Sequence, residues 1–378
     1  MKSKNNSALL KILLIANIFF ALLLILSYSA PYINPQKIWF IAFIGLLYPF
    51  LLIVNLLFVI LWLIKFKKYV LISLLSIIIG YNHINSIYKI NFSDDIPNDS
   101  TFTVLSYNIR LFNIYEYQRK DIRKFEPRNQ IISYIINQKP DIICFQEFFY
   151  DKSGFYKTVD TIILKSNNMK YYYTSYIIDN EKYYYSGVAT FSKYPIIDCG
   201  ILPYSKKTAN KSIFTDIVKG DDTLRIFNVH LESNRLNKTD EKFYQEFLNH
   251  DNQDEIKKGT RKILSKIKRA FINRSTQAIE LQKNIEQSPY PVIVCGDFND
   301  TPISYTYRVV SKNLKDAFIE NGKGIGITYN GKFPSYRIDY ILHDENFIST
   351  YYRKDNINIS DHFPIIAKLK LNEKKGEK

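Results

Sequence analysis

The sequence predicts a layered α/β domain preceded by membrane-spanning helices. Residues 1–90 consist mostly of long apolar stretches, whereas from residue 101 short apolar strands alternate with polar or helical segments. A helix needs about 20 apolar residues to cross a bilayer, and strands that alternate with helices are typical of layered α/β folds. The 378 residues leave room for a membrane anchor and one large domain.

Three apolar stretches form the predicted anchor, at 9–28, 38–64 and 69–84. The first two have the length of a transmembrane helix, and the third is shorter and ends in Asn82 and His83. A secretory signal peptide is the competing interpretation of the first stretch, but its apolar core exceeds the usual length of about 15 residues. We expect an uncleaved anchor with about three transmembrane helices, joined to the domain through residues 91–100 as a polar linker.

The lysines predict how this anchor is oriented. Lys2, Lys4 and Lys11 lie at the amino terminus, and the loop at 65–68 reads KFKK, whereas the first loop holds only Lys37. Basic loops stay in the cytoplasm. Three crossings of the cytoplasmic (inner) membrane then put the large domain on the outer, periplasmic side. If the third stretch does not cross, the domain lies inside.

The net charge and the cysteines indicate which partners and which cross-links the sequence predicts. The net charge is +15, and a basic chain attracts phosphate-rich partners such as nucleic acid or anionic lipid headgroups. Biased codon usage is the alternative origin of so many lysines. Cys144, Cys199 and Cys295 form no CxxC pair or Cys/His cluster, so a disulfide framework and a structural zinc are not indicated.

One domain is predicted over residues 101–372, with a basic tail at 373–378. The long predicted helix at about 254–287 carries many lysines and arginines, which fit either the solvated side of an amphipathic helix or a phosphate-binding face. A shorter helix is predicted at 128–140. The predicted strands are 101–109, 141–148, 171–178, 184–192, 212–218, 223–231, 291–298, 337–344 and 365–371.

Polar residues recur where these apolar strands end. In the strand at 291–298, Gly296 permits a turn, and Asp297 and Asn299 can point to the same side. Any one such residue has an ordinary explanation as a turn former, but a recurring set indicates a shared site. The set comprises Asn108, Glu147, His230, Asp297, Asn299, Asp339, Asp361 and His362.

This ordered set resembles the endonuclease/exonuclease/phosphatase superfamily, the DNase I-like metal-dependent phosphodiesterases. The motifs GDFND (296–300) and SDHFPI (360–365) are its most specific part. The resemblance implies a four-layer α/β sandwich, in which two central, mostly antiparallel sheets are flanked by helices and the site lies at their upper edge. It also implies a divalent metal, normally Mg²⁺, with Mn²⁺ as the alternative.

The resemblance further implies roles for the residues. Asn108, Glu147 and Asp361 would hold the metal, since carboxylate and amide oxygens are the ligands that Mg²⁺ prefers. The implied catalytic roles are water activation by Asp297, phosphoryl binding by Asn299, a phosphate-facing His362 oriented by Asp339, and contact of His230 with the phosphate or the leaving group.

The predicted function is hydrolysis of phosphodiester bonds, or of phosphomonoester bonds, at the membrane by in-line attack of water with His and Asp assistance. The substrate would be nucleic acid, a phospholipid headgroup or a small phosphoester, and no protein partner is implied. Arg110 occupies a position that is acidic in some abasic-site nucleases, which argues against DNA repair. The alternative is a non-catalytic phosphoester-binding module on the same fold.

Overall fold

The computed structural model describes residues 2–91, 100–116, 125–151, 156–166, 169–178, 184–205, 208, 210–247 and 253–372. The predicted linker, apart from its two end residues, and the predicted basic tail lie outside the described residues. The helices are α1 (Lys2–Ser27), α2 (Trp39–Leu46), α3 (Tyr48–Ile64), α4 (Val70–Ile79), α5 (Tyr81–Asn85), α6 (Phe125–Gln138), α7 (Thr158–Lys165), α8 (Lys238–Glu246), α9 (Gln253–Glu286), α10 (Tyr305–Val310) and α11 (Ala317–Asn321).

The strands form two sheets of six and one short pair. Their bounds are β1 (Tyr88–Lys89), β2 (Thr101–Asn108), β3 (Ile142–Asp151), β4 (Tyr171–Ile178), β5 (Tyr184–Ser192), β6 (Ile196–Ile201), β7 (Ser212–Lys219), β8 (Asp222–His230), β9 (Val292–Asp297), β10 (Lys315–Asp316), β11 (Gly324–Ile325), β12 (Asp339–His343), β13 (Phe347–Lys354) and β14 (Ile365–Leu371).

Sheet one has the order β10-β12-β9-β8-β7-β6, and sheet two has the order β13-β14-β2-β3-β5-β4. In each sheet one central pair is parallel, β8 with β9 and β2 with β3, and the other pairs are antiparallel. This arrangement places the carboxyl ends of the four central strands β2, β3, β8 and β9 where they can share one edge of the sandwich.

Three apolar clusters hold the layers together. Val104 and Ile142 of sheet two pack with Ile226 and Ile293 of sheet one between the sheets. A second cluster joins sheet two to α6 and α7, and a third joins sheet one to α9 and α10. The order of layers is therefore helix, sheet, sheet, helix, and the predicted four-layer α/β sandwich is confirmed.

The two long strands that sequence patterning did not identify, β6 and β13, are edge strands of their sheets. β6 exposes most of its side chains, and β13 alternates buried with partly buried positions. An edge strand buries less surface and therefore needs fewer apolar residues. The apolar-run criterion detects the central strands and the edge strand β4, and misses the edge strands β6 and β13.

The amino-terminal helices depart from the predicted straight spans. One described helix, over residues 8–27, is long and apolar enough to cross a membrane, and α2 with α3 would supply a second if that pair, bent by 55°, counts as one span. The bend follows from Pro49 near the start of α3, because proline fits a helix start and cannot continue the preceding hydrogen-bond ladder. The third stretch is divided at Gly80, which separates α4 from α5.

The helices α1, α3 and α4 pack on one another, and one end of this bundle contacts the sandwich. Ile303, just past β9, packs with Leu24 of α1 and Tyr48 and Leu51 of α3. After α5, β1 pairs with β11, which is a second contact between the two parts. The sandwich is thus held against the bundle end where α1 finishes and α3 begins, and the loop at 65–68 lies at the other end of α3.

Candidate active site

The sheet registers bring the predicted residues together. Asp297 is paired with His230 across the parallel β8–β9 ladder and with Asp339 across the antiparallel β12–β9 ladder. In sheet two, Asn108 is paired with Gln146, one residue before Glu147. The predicted residues of both sheets therefore meet at one edge of the sandwich.

Two backbone features shape this edge. Gly296 has φ +141, and a Cβ there would lie 1.9 Å from the Val229 carbonyl oxygen, so only glycine fits between the neighbouring strands. In β3, the ladder is irregular between Phe145 and Phe148, and Glu147 adopts a left-handed φ of 50°. A bulge re-aims a side chain at a strand end, and here the bulge redirects Glu147.

Asp297 is the centre of the cluster, with a side chain that is 1% exposed. The neighbours of its Oδ2 are Asn108 Nδ2 at 3.0 Å, Asn299 Nδ2 at 3.2 Å, and His230 Nε2 and His362 Nε2 at 3.8 Å each. Burial raises the pKa of Asp297 to about 7, against the opposing effect of His362 and with a contribution from Asp339. The carboxyl group therefore exchanges a proton near neutral pH.

His362 is held by a buried carboxylate. Its Nδ1 lies 2.9 Å from Asp339 Oδ2, while the backbone N–H of Asp339 donates to Thr328 Oγ1. Burial by itself lowers the pKa of His362, but Asp339 and Asp297 raise it more strongly, to about 10. His362 is thus an imidazolium at neutral pH, oriented through its other nitrogen.

His230 is in the opposite protonation state. Its Nε2 lies 2.8 Å from Asn210 Nδ2, and an amide nitrogen can only donate, so Nε2 accepts and carries no proton. Burial, with His362 as a second cause, lowers the pKa of His230 to about 3. The site therefore places a neutral imidazole and a cationic imidazole on either side of Asp297.

Glu147 and Asp361 lie in the more open part of the site. The Glu147 side chain is 34% exposed, and its Oε1 lies 3.5 Å from Asn108 Nδ2 and 3.9 Å from His230 Nε2. The surrounding protein removes part of the hydration of the carboxyl group, and this loss, together with the negative charge of Asp361, raises the pKa of Glu147. Asp361 is 27% exposed, with its Oδ2 3.5 Å from Arg110 Nε. Solvent and a ligand can reach both carboxylates.

The donor chemistry at this opening fits a divalent cation, since two carboxylates and an amide meet there. A second acidic group, formed by Asp297, Asp339 and His362, has its ligand atoms within 4.8 Å of one another. In that group His362 and Asp339 already share a hydrogen bond, and a cationic imidazole would repel an ion. The more open carboxylates of Glu147 and Asp361 are therefore the better metal site.

Two amide side chains do not have the orientations that their predicted roles need. Asn108 Oδ1 accepts from the Arg110 backbone N–H, so the amide turns its NH₂ group toward Glu147. Asn299 uses its NH₂ group on the Leu231 carbonyl and on Asp297. Metal binding by Asn108 and phosphoryl binding by Asn299 would both require the amide to rotate.

Two residues next to the cluster, Asn210 and Tyr329, were not identified from the sequence. Asn210 contacts His230, and Tyr329 lies edge-on to the His362 ring with centroids 5.3 Å apart. Gln146 and Asn228, which precede Glu147 and His230 on their strands, meet between the two sheets, where Gln146 Nε2 donates to Asn228 Oδ1 at 2.8 Å. Asn210 and Tyr329 come from irregular segments that carry no periodic pattern.

A comparison with models of known protein families shows the family to which the sandwich belongs. The model of the Endonuclease/Exonuclease/phosphatase family matches residues 105–362, which is more than half of the chain. The chain therefore belongs to this family, which includes metal-dependent phosphodiesterases. Residues 10–87 match a domain of unknown function, DUF8431, and no curated protein matches the chain.

Solved structures give the same fold. An endonuclease/exonuclease/phosphatase from Bacteroides vulgatus has a TM-score of 0.50 at 14% identity, over 72% of this chain and 100% of that one. An endonuclease/exonuclease/phosphatase from Beutenbergia cavernae has a TM-score of 0.49 at 15% identity, over 72% of each chain. The human nocturnin catalytic domain with bound sulfate has a TM-score of 0.49 at 16% identity, over 72% of this chain and 94% of that one. At these identities the likeness concerns the fold alone.

Proposed function

We propose that the chain is a metal-dependent phosphodiesterase that works at a membrane surface. The observation that carries this proposal is the buried arrangement of Asp297 between a neutral His230 and a cationic His362. A structural cluster has no need for two imidazoles in opposite states around one carboxylate. Hydrolysis of a phosphodiester needs both a proton acceptor for the attacking water and positive charge at the phosphoryl oxygens.

In this proposal, Asp297 accepts a proton from the attacking water, because the raised pKa of Asp297 lies close to neutral pH. His362 faces a phosphoryl oxygen with its Nε2–H, and Asp339 keeps the ring oriented. His230 accepts a hydrogen bond from Asn210 at the same edge. The backbone N–H and the amide of Asn299 both contact Asp297 and orient it.

The proposed metal residues are Glu147 and Asp361, with Asn108 after rotation of its amide. A divalent ion held there supplies positive charge to the phosphoryl and leaving-group oxygens. The 34% exposure of Glu147 leaves its carboxylate accessible to an ion from solvent.

The membrane placement is also a proposal. The outward side chains of α1 are apolar, with Ile12 63%, Ile15 68% and Leu22 61% exposed, and such a surface suits lipid rather than water. The sandwich contacts the bundle end opposite to Lys2, Lys4 and loop 65–68. Because basic segments stay in the cytoplasm, this contact supports a sandwich on the outer side.

The test uses the full chain in detergent with Mg²⁺, with Mn²⁺ or with EDTA. Plasmid DNA, sphingomyelin and bis-(p-nitrophenyl) phosphate serve as substrates, and His362→Ala is the inactive variant. The control is Asp222→Asn, an exposed residue at the other end of β8 from His230. We expect metal-dependent turnover of at least one substrate, abolished by His362→Ala and unchanged in the control. Metal-independent turnover, or turnover retained by His362→Ala, contradicts the mechanism.

Glu147→Gln tests the metal site separately. We expect the concentration of Mg²⁺ that gives half-maximal activity to rise by at least about 10- to 100-fold, because one negative ligand is lost. Titration of activity with Mg²⁺ measures this half-maximal concentration. An unchanged Mg²⁺ requirement would assign the ion to other residues. No turnover of any substrate, with Mg²⁺ still bound, would favour a phosphoester-binding module.

A further inference from the structure

Helix α9 carries a basic run that the active site does not use. Between residues 256 and 279 it holds eight Lys or Arg and no Asp or Glu. Lys262 and Lys266 pair with Asp240, and Arg274 pairs with Asp300. The other five are exposed, namely Lys257, Lys258, Arg261, Lys268 and Arg269. The acidic residues Asp254 and Glu255 are confined to the first turn.

Four of the five exposed residues share one face of the helix. At about 100° per residue, Lys257, Lys258, Arg261 and Lys268 fall within a sector of roughly 100°. Ser275 and Thr276, further along α9, occupy the same sector. We call the surface formed by Lys257, Lys258, Arg261 and Lys268 the basic face.

The carboxyl-terminal part of this sector contacts the membrane anchor. Gln36 Nε2 donates to Thr276 Oγ1 at 3.0 Å, and Lys268 Nζ lies 5.1 Å from the centre of the Trp39 ring. Trp39 begins α2, a short apolar helix that leads into α3 and leaves Phe40 51% exposed. Tryptophan at such a position is typical of the membrane–water interface.

The other residues of the basic face, Lys257, Lys258 and Arg261, lie further toward the amino terminus of α9, beyond the contact with the anchor. Arg261 and Lys257 lie about 10 and 17 Å from Lys268 along the helix axis, on the side of α9 that faces α2. This half of the helix is less tightly packed, since Ile263, Leu264 and Ile267 are only half-buried. By helical geometry, the lysine and arginine side chains of this half lie on the side of α9 that faces α2.

We propose that the basic face binds the headgroups of anionic lipids and so fixes the sandwich flat against the bilayer. The inference rests on the membrane placement proposed above. Each Lys or Arg near an anionic surface favours the docked form by about fivefold. The three residues beyond Trp39 together favour it on the order of a hundredfold. A nucleic acid is the less favoured occupant, because it would have to enter between α9 and the bilayer.

The experiment measures amide hydrogen exchange of residues 253–266 in the full chain in nanodiscs. One set contains phosphatidylcholine alone, and the other contains an equal mixture with phosphatidylglycerol. The test variant replaces Lys257, Lys258 and Arg261 by Gln. A matched control replaces Lys139, Lys165 and Lys170 by Gln, which removes the same charge from exposed sites on the opposite side of the sandwich.

We expect slower exchange in the anionic nanodiscs for the native chain and the control, by several-fold, and no lipid dependence in the test variant. High salt should remove the difference. Equal exchange in both lipids overturns the inference, as does protection by added DNA without protection by anionic lipid. A chain that does not enter nanodiscs overturns the membrane placement as well. Turnover of bis-(p-nitrophenyl) phosphate in the same samples reports separately on the proposed enzymatic function.

Discussion

Two of the polar clusters that the described residues bury differ in charge. In the helical bundle, Ser73 Oγ lies 2.7 Å from Asn17 Oδ1 and 2.8 Å from Asn55 Oδ1, and all three residues are 0% exposed. At the sheet edge, the cluster around Asp297 is almost as deeply buried, but its members are carboxyl groups and imidazoles. The neutral cluster joins α1, α3 and α4, whereas the charged one comes from strand ends of both sheets.

This difference separates a structural cluster from a functional one. Hydrogen bonds between neutral amides and hydroxyls of packed helices are worth about 1 kcal/mol each in a membrane protein, even though Asn17 Nδ2 has no partner within the described structure. Buried carboxylates lose hydration that their neighbours do not fully replace, and Asp339 Oδ1 has no hydrogen-bond partner within the described structure. An arrangement that costs stability and persists is a candidate for catalysis. Removal of each cluster should therefore have opposite consequences for activity and stability.

Asp297→Asn is expected to give the largest effect. The variant removes the proton acceptor, so kcat/KM should fall by about 1000-fold. The thermal midpoint should stay the same or rise, because an amide replaces a buried carboxyl group. Steady-state kinetics and thermal unfolding measure the two quantities. A large fall in thermal midpoint would show instead that Asp297 has a structural role.

A third cluster surrounds Asp240 at the surface between α8 and α9. It tests how much ion pairs contribute to stability where their cations are exposed to water. Burial raises the pKa of Asp240, but hydrogen bonds from Lys266, Asn237 and Lys262 prevail and lower it to about 2. A lowered pKa stabilises the fold above the unfolded-state pKa of about 4, and this stabilisation is lost as the pH falls toward 2.

Asp240→Asn should therefore lower the free energy of unfolding by about 1–2 kcal/mol at neutral pH, less than the shift alone implies because Lys262 is half exposed. The difference from the native chain should shrink between about pH 4 and 2. Denaturant unfolding at several pH values measures it, with Glu286→Gln at the far end of α9 as the control for a solvent-exposed ion pair. A difference that does not vary with pH would exclude the charge as its cause.

Ser73→Ala should have the smallest effect. Loss of its hydroxyl removes the link between Asn17 and Asn55 and should lower the free energy of unfolding by about 1 kcal/mol, without a change in kcat/KM. Thermal unfolding in detergent measures it. Ser76→Ala is the matched control, because the Ser76 hydroxyl bonds only to Ile72 within its own helix. If both variants behave alike, the interhelical cluster contributes nothing specific.

Much of the sandwich was predictable because its central strands are buried on both faces. The central strand β5 matches the predicted bounds, and β2 and β9 differ from them by one residue at one or both ends. The polar residues at strand ends were also identifiable, since an abrupt change from apolar to polar is a local signal. The edge strands β6 and β13 were not predictable, because they depend on what packs beside them, whereas Pro49 was a local signal for the division of the apolar segment at Leu47.

The orientations within the site could not be predicted either. The sequence identifies Asn108 and Asn299 but does not tell which side of each amide faces Asp297. It names two histidines, and only the contacts with Asn210 and Asp339 distinguish the neutral ring from the cationic one. Protonation depends on the distances between groups that are far apart in the chain.

The sequence by itself determined the family, the layered architecture and the residues of the candidate site, since periodicity and motifs are local properties of the chain. Tertiary structure decided three further points: the protonation of the two histidines, the orientation of Asn108 and Asn299, and the contact of α9 with α2. Each of these depends on distances of a few ångströms between segments that are remote in sequence, and electrostatic interactions and hydrogen bonds vary steeply over such distances.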